Sequence, residues 1–280
     1  MNYIQIYLKK LYWKVCKFIG FSILIRDERS STHSNELKLY NTITGKFYLP
    51  KYAYQDVIKK EIIKNRIFDQ EVLDLAKKFI EPNTSIIDAG ANYGQMSIIF
   101  SKLYPDVIVY SFEASTFVFE ILKKNVELNS KNIKIYNCVL SDSKDERYLR
   151  LPEITKYRTY GSVEVEFSNN KNLTYSKKTS ITKIDDFKFE KKVSLMKIDV
   201  EGWDLKVLKG SVETIKKNQM VIIFEYAPEY EEKMKYKLDD YINFFKDLDY
   251  IFLTSIKNNY LVIPKKNDTI NNKIKSSVLV

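Results

Sequence analysis

The sequence predicts a doubly wound α/β sheet of seven strands, the last antiparallel, with a helical extension in front of it. Three observations carry this prediction. From residue 82 onward, short and nearly continuous apolar runs alternate with helix-periodic segments, as expected for a parallel sheet covered on both faces. The stretch "IDAGANYG", Ile87 to Gly94, reads as a strand entering a glycine turn and then a helix. The end of the chain, "YIFLTSIKNNYLVIP", reads as two strands joined at Lys257-Asn258-Asn259, an antiparallel pair closing the sheet.

The extension occupies residues 1–55. Its first part, Tyr3 to Ile25, sets Lys9, Lys10, Lys14 and Lys17 on one helical face. The opposite face carries Ile4, Leu8, Leu11, Trp13, Val15, Phe18 and Ile19. Four lysines rule against a spanning helix and interrupt the apolar run of a cleavable signal. Two readings stay open. A basic amphipathic helix lies on the inner face of a membrane, drawn to anionic lipid, or it packs on the domain or on a second subunit in a homodimer. Arg26 to Asn35 reads as a polar linker, and Tyr40 to Pro50 as a hairpin around Thr44-Gly45.

The sheet domain is expected over 56–265. Asp56 to Ile80 is helical in period and broken near Phe68, with Asp69 placed to cap a second helix. Strands follow at Ser85–Asp88, at "VIVYSFEAS" and at "NIKIYNCVL", with Ser115 capping the helix after the second. Residues 141–192 interrupt the alternation with β-rich segments, an insertion over the rim in which Tyr157, Tyr160, Gly161 and Ser162 are expected on the acceptor side. "VSLMKID", "WDLKVLKG" with Gly210 as C-cap, "MVIIFEY" and "LDDYINFFKDL" resume the pattern. Residues 266–280 form a basic tail.

The net charge of +10 comes from the ends: residues 1–80 carry +7, residues 264–280 carry +3, and the domain between is neutral. A nucleic-acid enzyme more often surrounds its site with basic surface. Two cysteines, Cys16 and Cys138, share no motif, which suits a reducing, cytoplasmic setting and argues against a disulfide framework or zinc site. The single histidine, His33, lies far from the glycine turn, which excludes a histidine-based triad or metal cage.

The turn narrows the ligand. After Gly90 come Ala91, Asn92, Tyr93 and Gly94, a G-x-x-x-G spacing that is neither the dinucleotide fingerprint nor a P-loop. A strand-end carboxylate, Asp88, beside an open glycine turn suits a positively charged ligand without phosphate, and S-adenosylmethionine has that chemistry. Glu113, at the end of the second strand, is placed to accept both ribose hydroxyls. Ala114 follows it, and Ser141 and Asp142 end the third strand where an adenine amino group would lie.

"IIDAGANYG", "SFEAS", "NVELN" and above all "LMKIDVEGWDLKVLKG" resemble the FkbM family of class I S-adenosylmethionine-dependent methyltransferases over roughly residues 66–227. The resemblance implies a Rossmann-like class I methyltransferase fold. It also implies O-methylation of hydroxyls, often on sugars of surface polysaccharides and glycolipids or on natural products. Trp203 departs from it, standing where the family more often has a small residue; it either reshapes the pocket or packs.

"KIDVEG" supplies the second constellation. Asp199 and Glu201 end the fourth strand, and Glu225 ends the fifth, close to the same cleft. Methyl transfer to a hydroxyl needs positioning and a proton acceptor. Without histidine the acceptor is expected to be a carboxylate, Glu201 or Asp199 first. Asp199 is also expected to touch the cofactor. The three carboxylates are also a ligand set for a divalent cation, but a direct base is favoured and no metal site is assigned. An RNA 2′-O-methyltransferase is the rival enzyme, with Lys197 its one candidate lysine and the neutral domain against it. A non-catalytic membrane-associated protein of the same fold is the rival outside catalysis.

Overall fold

The structure is a computed structural model, and it describes residues 36–150, 167–168, 176–267 and 270. The expected N-terminal helix, the Arg26 to Asn35 linker, Cys16, His33, the insertion residues Tyr157, Tyr160, Gly161 and Ser162 and most of the tail lie outside the described residues.

The chain opens on a hairpin, β1 (Leu37–Asn41) and β2 (Lys46–Pro50), then α1 (Val57–Ile63) and α2 (Gln70–Lys77). The sheet begins with β3 (Ser85–Ala89), α3 (Gln95–Leu103), β4 (Ile108–Glu113), α4 (Thr116–Asn129) and β5 (Ile133–Asn137). A side sheet follows, of β6 (Val139–Leu140), β7 (Asp145–Arg150), β8 (Phe167–Ser168) and β9 (Ser176–Thr182). The main sheet resumes with β10 (Val193–Ile198), α5 (Asp204–Lys209), α6 (Val212–Asn218) and β11 (Val221–Glu225). It ends with α7 (Glu231–Met234), α8 (Leu238–Asp247), β12 (Tyr250–Ile256) and β13 (Asn259–Pro264).

Seven strands stand in the order β12-β13-β11-β10-β3-β4-β5. β11, β10, β3, β4 and β5 are parallel to their neighbours in that run, and β13 is antiparallel to both β11 and β12. The order reverses between β3 and β10, which opens a crevice at their carboxyl ends where ligands bind in such sheets.

Strand alternation divides the core. Ile86, Val109, Leu195 and Ile223 face the side covered by α2, α3 and α4, while Ile87, Tyr110, Met196 and Ile222 face α5, α6 and α8. The hairpin belongs to the first of these cores: Phe47 and Leu49 are fully buried in it. Asn125 on α4 locks it there, accepting from Tyr48 N at 2.6 Å and donating to the carbonyls of Tyr48 and Tyr93 at 3.2 and 2.9 Å. No helix among the described residues is long and apolar enough to cross a membrane.

Two local expectations change, and a third holds for a different reason. Asp69 precedes α2 in a left-handed conformation, φ 55°, and its side chain makes no cap hydrogen bond; Asp56 caps α1 instead, accepting from Lys59 N at 2.8 Å. The run "NIKIYNCVL" is two strands. β5 pairs with β4, whereas β6 leaves the main sheet and pairs with β9, because Asn137 turns its amide back onto the carbonyls of Glu113 and Ala114. Gly210 does end α5, but at φ −81°. Space rather than left-handed freedom requires glycine there: a Cβ would sit 2.0 Å from the Ser141 carbonyl oxygen.

Candidate active site

The residues singled out by pattern at the ends of β3, β4, β10 and β11 stand at the carboxyl edge of the sheet. Gly90, Asn92, Glu113, Ala114, Asp199, Glu201 and Glu225 are all partly exposed, while Asp88, Ala91 and Gly94 are buried. The turn after β3 takes three left-handed residues, Gly90, Asn92 and Gly94 at φ 86°, 53° and 87°. At Gly90 the requirement is also one of space, since a Cβ would lie 1.9 Å from the Asp199 carbonyl oxygen. The turn after β3 and the end of β10 therefore touch backbone to backbone.

On the β4 side, Glu113 is tied into this turn. One carboxylate oxygen accepts from Asn92 N at 3.0 Å and the other from Ser115 N at 2.8 Å. Burial pushes its carboxyl up to about 7 against the pull of those amides. Ser115 caps α4 as expected, its hydroxyl accepting from Val118 N at 3.4 Å.

Beneath the turn runs a polar row across the sheet. Ser111, Asp88 and Lys197 are register partners on β4, β3 and β10, so the pleat aims all three to one face. Asp88 has no exposure; it accepts from the Ser97 hydroxyl, and its other oxygen has no hydrogen-bond partner. Burial raises its carboxyl, with the Lys197 charge and the Ser97 hydroxyl opposing. The positive charge beside Asp88 is therefore the Lys197 ammonium, 3.9 Å away.

Lys197 is itself buried, and its stronger partner is Asp199 at 3.0 Å. Burial works to lower its pKa, yet Asp199, Asp88 and Asp69 together hold it above the ordinary lysine value. Asp69, read from sequence as a cap, thus joins the site; burial pushes its carboxyl up to about 6, with Lys197 opposing. Lys197 is fully engaged here and is not presented to a groove.

The β11 side is crowded with carboxyls. Glu225 is raised by burial and by the charges of Asp199, Asp204 and Glu201. Asp204, the first residue of α5, is wholly buried, and neither oxygen has a hydrogen-bond partner. Burial, then Asp199, pushes it up to about 8; the amides of Asp204 and Glu225 favour its charge without closing into hydrogen bonds. Glu201 stands in a left-handed conformation, φ 53°, and accepts from the Tyr230 hydroxyl. Among the described residues no three His, Cys, Asp or Glu side chains are placed to share one metal ion.

Residues 88–252 match the methyltransferase FkbM domain, a span that includes both halves of this cleft. The chain belongs to the FkbM methyltransferase family. It is 25% identical to the methyltransferase sdnD of Sordaria araneosa over 181 residues, covering 55% of this chain and 69% of that protein. It is 24% identical to Methyltransferase 1 of Beauveria bassiana strain ARSEF 2860 over 172 residues, covering 55% and 68%. A crystal structure of an FkbM methyltransferase from Methylobacillus flagellatus KT superposes with a TM-score of 0.44 at 15% identity. That superposition covers 66% of this chain and 44% of the other, so this chain spans less than half of that structure's length.

The cofactor of this FkbM methyltransferase is S-adenosylmethionine, and the β3–β4 side fits it. Each Glu113 oxygen accepts one amide in the hydrogen bonds above, and a carboxylate oxygen has capacity for a second. That leaves room for a pair of ribose hydroxyls at the mouth of the turn. Just after β6 the Ser141 hydroxyl donates to Asp142 at 3.1 Å, and both residues lie against Gly210 at the end of α5. Trp203 precedes α5 half-buried, with Lys206 Nζ 3.9 Å from its ring centroid.

Sequence reading missed Asp69, Asp204 and Tyr230 as neighbours of the site. Asp204 had a usable signal, since it closes the same "DVEGWD" block and begins a helix at the strand edge. Tyr230 had none, being one of 21 tyrosines.

Proposed function

We propose that the protein methylates a hydroxyl group of a sugar in a surface polysaccharide or glycolipid. One observation supports the catalytic assignment most directly. Lys197 pairs with Asp199 and Asp88, while Glu201 at the rim accepts from the Tyr230 hydroxyl. Glu201 is then the base that takes the acceptor's proton, because Tyr230 donates to its charged form. Glu225, raised above the ordinary carboxylate range, keeps its proton nearer neutral pH and donates to the acceptor oxygen. Asp199 positions the edge of β10 against Gly90, and Glu113 with the Gly90–Gly94 turn holds the donor. S-adenosylmethionine supplies the methyl group: the acceptor oxygen forms the new O–C bond while the S–C electron pair returns to sulfur, leaving S-adenosylhomocysteine.

The absence of histidine near the turn and the neutral middle of the sequence support a carboxylate-based O-methyltransferase over an enzyme for RNA. Lys197, the lysine that an RNA 2′-O-methyltransferase reading needs, is 5% exposed and paired. The test is mass spectrometry of surface glycans and glycolipids from cells with and without the gene. A glycan lighter by one methylene in the deletion strain is expected, and identical glycan profiles would overturn the assignment. For the segment before residue 26 the proposed role is peripheral contact with the inner membrane face. Sedimentation of the full chain with anionic liposomes, lost on deleting residues 1–25, is the expected outcome; equal sedimentation leaves packing on the domain or on a second copy.

A further inference from the structure

We propose that Tyr230 is the positioning residue of the transfer site, its phenol holding the Glu201 carboxylate ionised and fixed at the mouth of the cleft. The inference rests on Glu201 being the group that takes the acceptor's proton.

Four features converge on this pair. The Tyr230 hydroxyl donates to Glu201 Oε2 from a segment 29 residues further along the chain. Glu201 and Gly202 are successive left-handed residues, at φ 53° and 88°, and a non-glycine residue held there is strained. Glycine at 202 is required by Tyr230 itself: a Cβ would lie 2.8 Å from its Cγ and 3.0 Å from its Cβ. The tyrosine ring therefore sits directly on the strained turn. Its own segment is fixed in turn, because Pro228 opens a short 3-10 turn after β11 and Tyr230 N donates to Ala227 O at 3.0 Å.

The charge balance gives this contact a purpose. Glu225 at the end of β11 feels the charges of Asp199 on β10, Asp204 on α5 and Glu201, with Lys197 opposing. Lys197 is taken by Asp199 and Asp88, and the Tyr226 hydroxyl is taken by Glu231. Glu225 and Asp204 answer the crowding by favouring their protonated forms. A carboxylate that must accept a proton in such company is kept charged by hydrogen-bond donors, and the Tyr230 hydroxyl is one. The contact also removes the rotamer freedom a rim glutamate would otherwise have, which is how a base is kept within reach of its proton.

The test uses the full chain, methyl-tritiated S-adenosylmethionine, and glycan and glycolipid extracts of cells lacking the gene. For Tyr230→Phe the expected result is a kcat lower by about tenfold, with the acid limb of the kcat–pH profile moved up by about one unit. Cofactor affinity by calorimetry and the thermal midpoint stay close to wild type. Glu201→Asp withdraws the carboxylate from the phenol and is expected to give a similar loss, to which Tyr230→Phe adds nothing. Glu201→Gln is expected to abolish transfer. A wild-type profile in Tyr230→Phe beside an inactive Glu201→Gln overturns the role of Tyr230 alone. Full activity in Glu201→Gln, or no label transferred by the wild type, overturns the underlying reading and this inference with it.

Discussion

The two halves of the cleft solve the same problem differently. On the β3–β4 side, the carboxylate of Glu113 is answered by two backbone amides, and the turn it anchors is fixed by glycine conformation and backbone contact. On the β10–β11 side, one buried lysine faces Asp199, Asp88 and Asp69, Asp204 has no hydrogen-bond partner, and Glu225 is raised by its neighbours. Backbone amides cannot titrate or swing away, so the first half is preorganised for one unchanging ligand. Side-chain charges can do both. The second half is held together electrostatically, and its protonation can follow what binds there.

Removing the lysine should separate the halves most sharply. Lys197→Met leaves Asp88 fully buried without its cation, a loss of about 3–5 kcal/mol by denaturant unfolding at neutral pH. The pH dependence has a definite sign. The folded pKa of Lys197 is raised above 10.5, so its contribution is complete below that value and disappears as pH climbs through the folded one. A variant as stable as wild type at neutral pH would mean that the lysine does not hold the β10 side together. Asp204→Asn addresses the same half with the opposite sign. Asp204 has a folded value of about 8 against 3.8 for the free group, so the folded state holds the proton more tightly and wild-type stability falls as pH rises between the two. Measured from a common value below about pH 4, the asparagine variant should gain on wild type by roughly 1.4 kcal/mol per pH unit as pH rises toward 8. Parallel stability curves would show that Asp204 is ionised and partnered.

The donor half carries the next effect. Glu113→Ala should weaken S-adenosylmethionine binding by about 1–3 kcal/mol, read by calorimetry. With its carboxyl near 7, wild-type affinity should also decline as pH falls below that value, and the alanine variant should not follow. Unchanged affinity would remove Glu113 from the cofactor's contacts.

This half was the more legible in sequence. Gly90, Gly94, Glu113 and Ser115 act through local geometry, and the turn spacing, strand end and cap are written in consecutive residues. The β10–β11 side was legible only in part. "KIDVEG" marked Asp199 and Glu201, but the Lys197–Asp88 pairing is a register between strands far apart in the chain. Asp69 reaches Lys197 from the start of α2 because α2 packs on that face of the sheet, and local pattern showed only its resemblance to a cap. The departure of β6 from the main sheet depended likewise on a tertiary partner, β9.

The smallest effect sharpens the comparison from the donor side. Ser115→Ala removes one side-chain cap from α4, and its hydrogen bond to Val118 N is long at 3.4 Å, so the cost should lie near about 0.5–1 kcal/mol of stability. The Ser115 amide, which donates to Glu113, remains. Cofactor affinity should therefore be unchanged, because the carboxylate's position depends on backbone rather than on the hydroxyl. An affinity loss comparable to that of Glu113→Ala would show that the donor half, too, is held by side chains, and the contrast between the halves would reduce to a difference in charge alone.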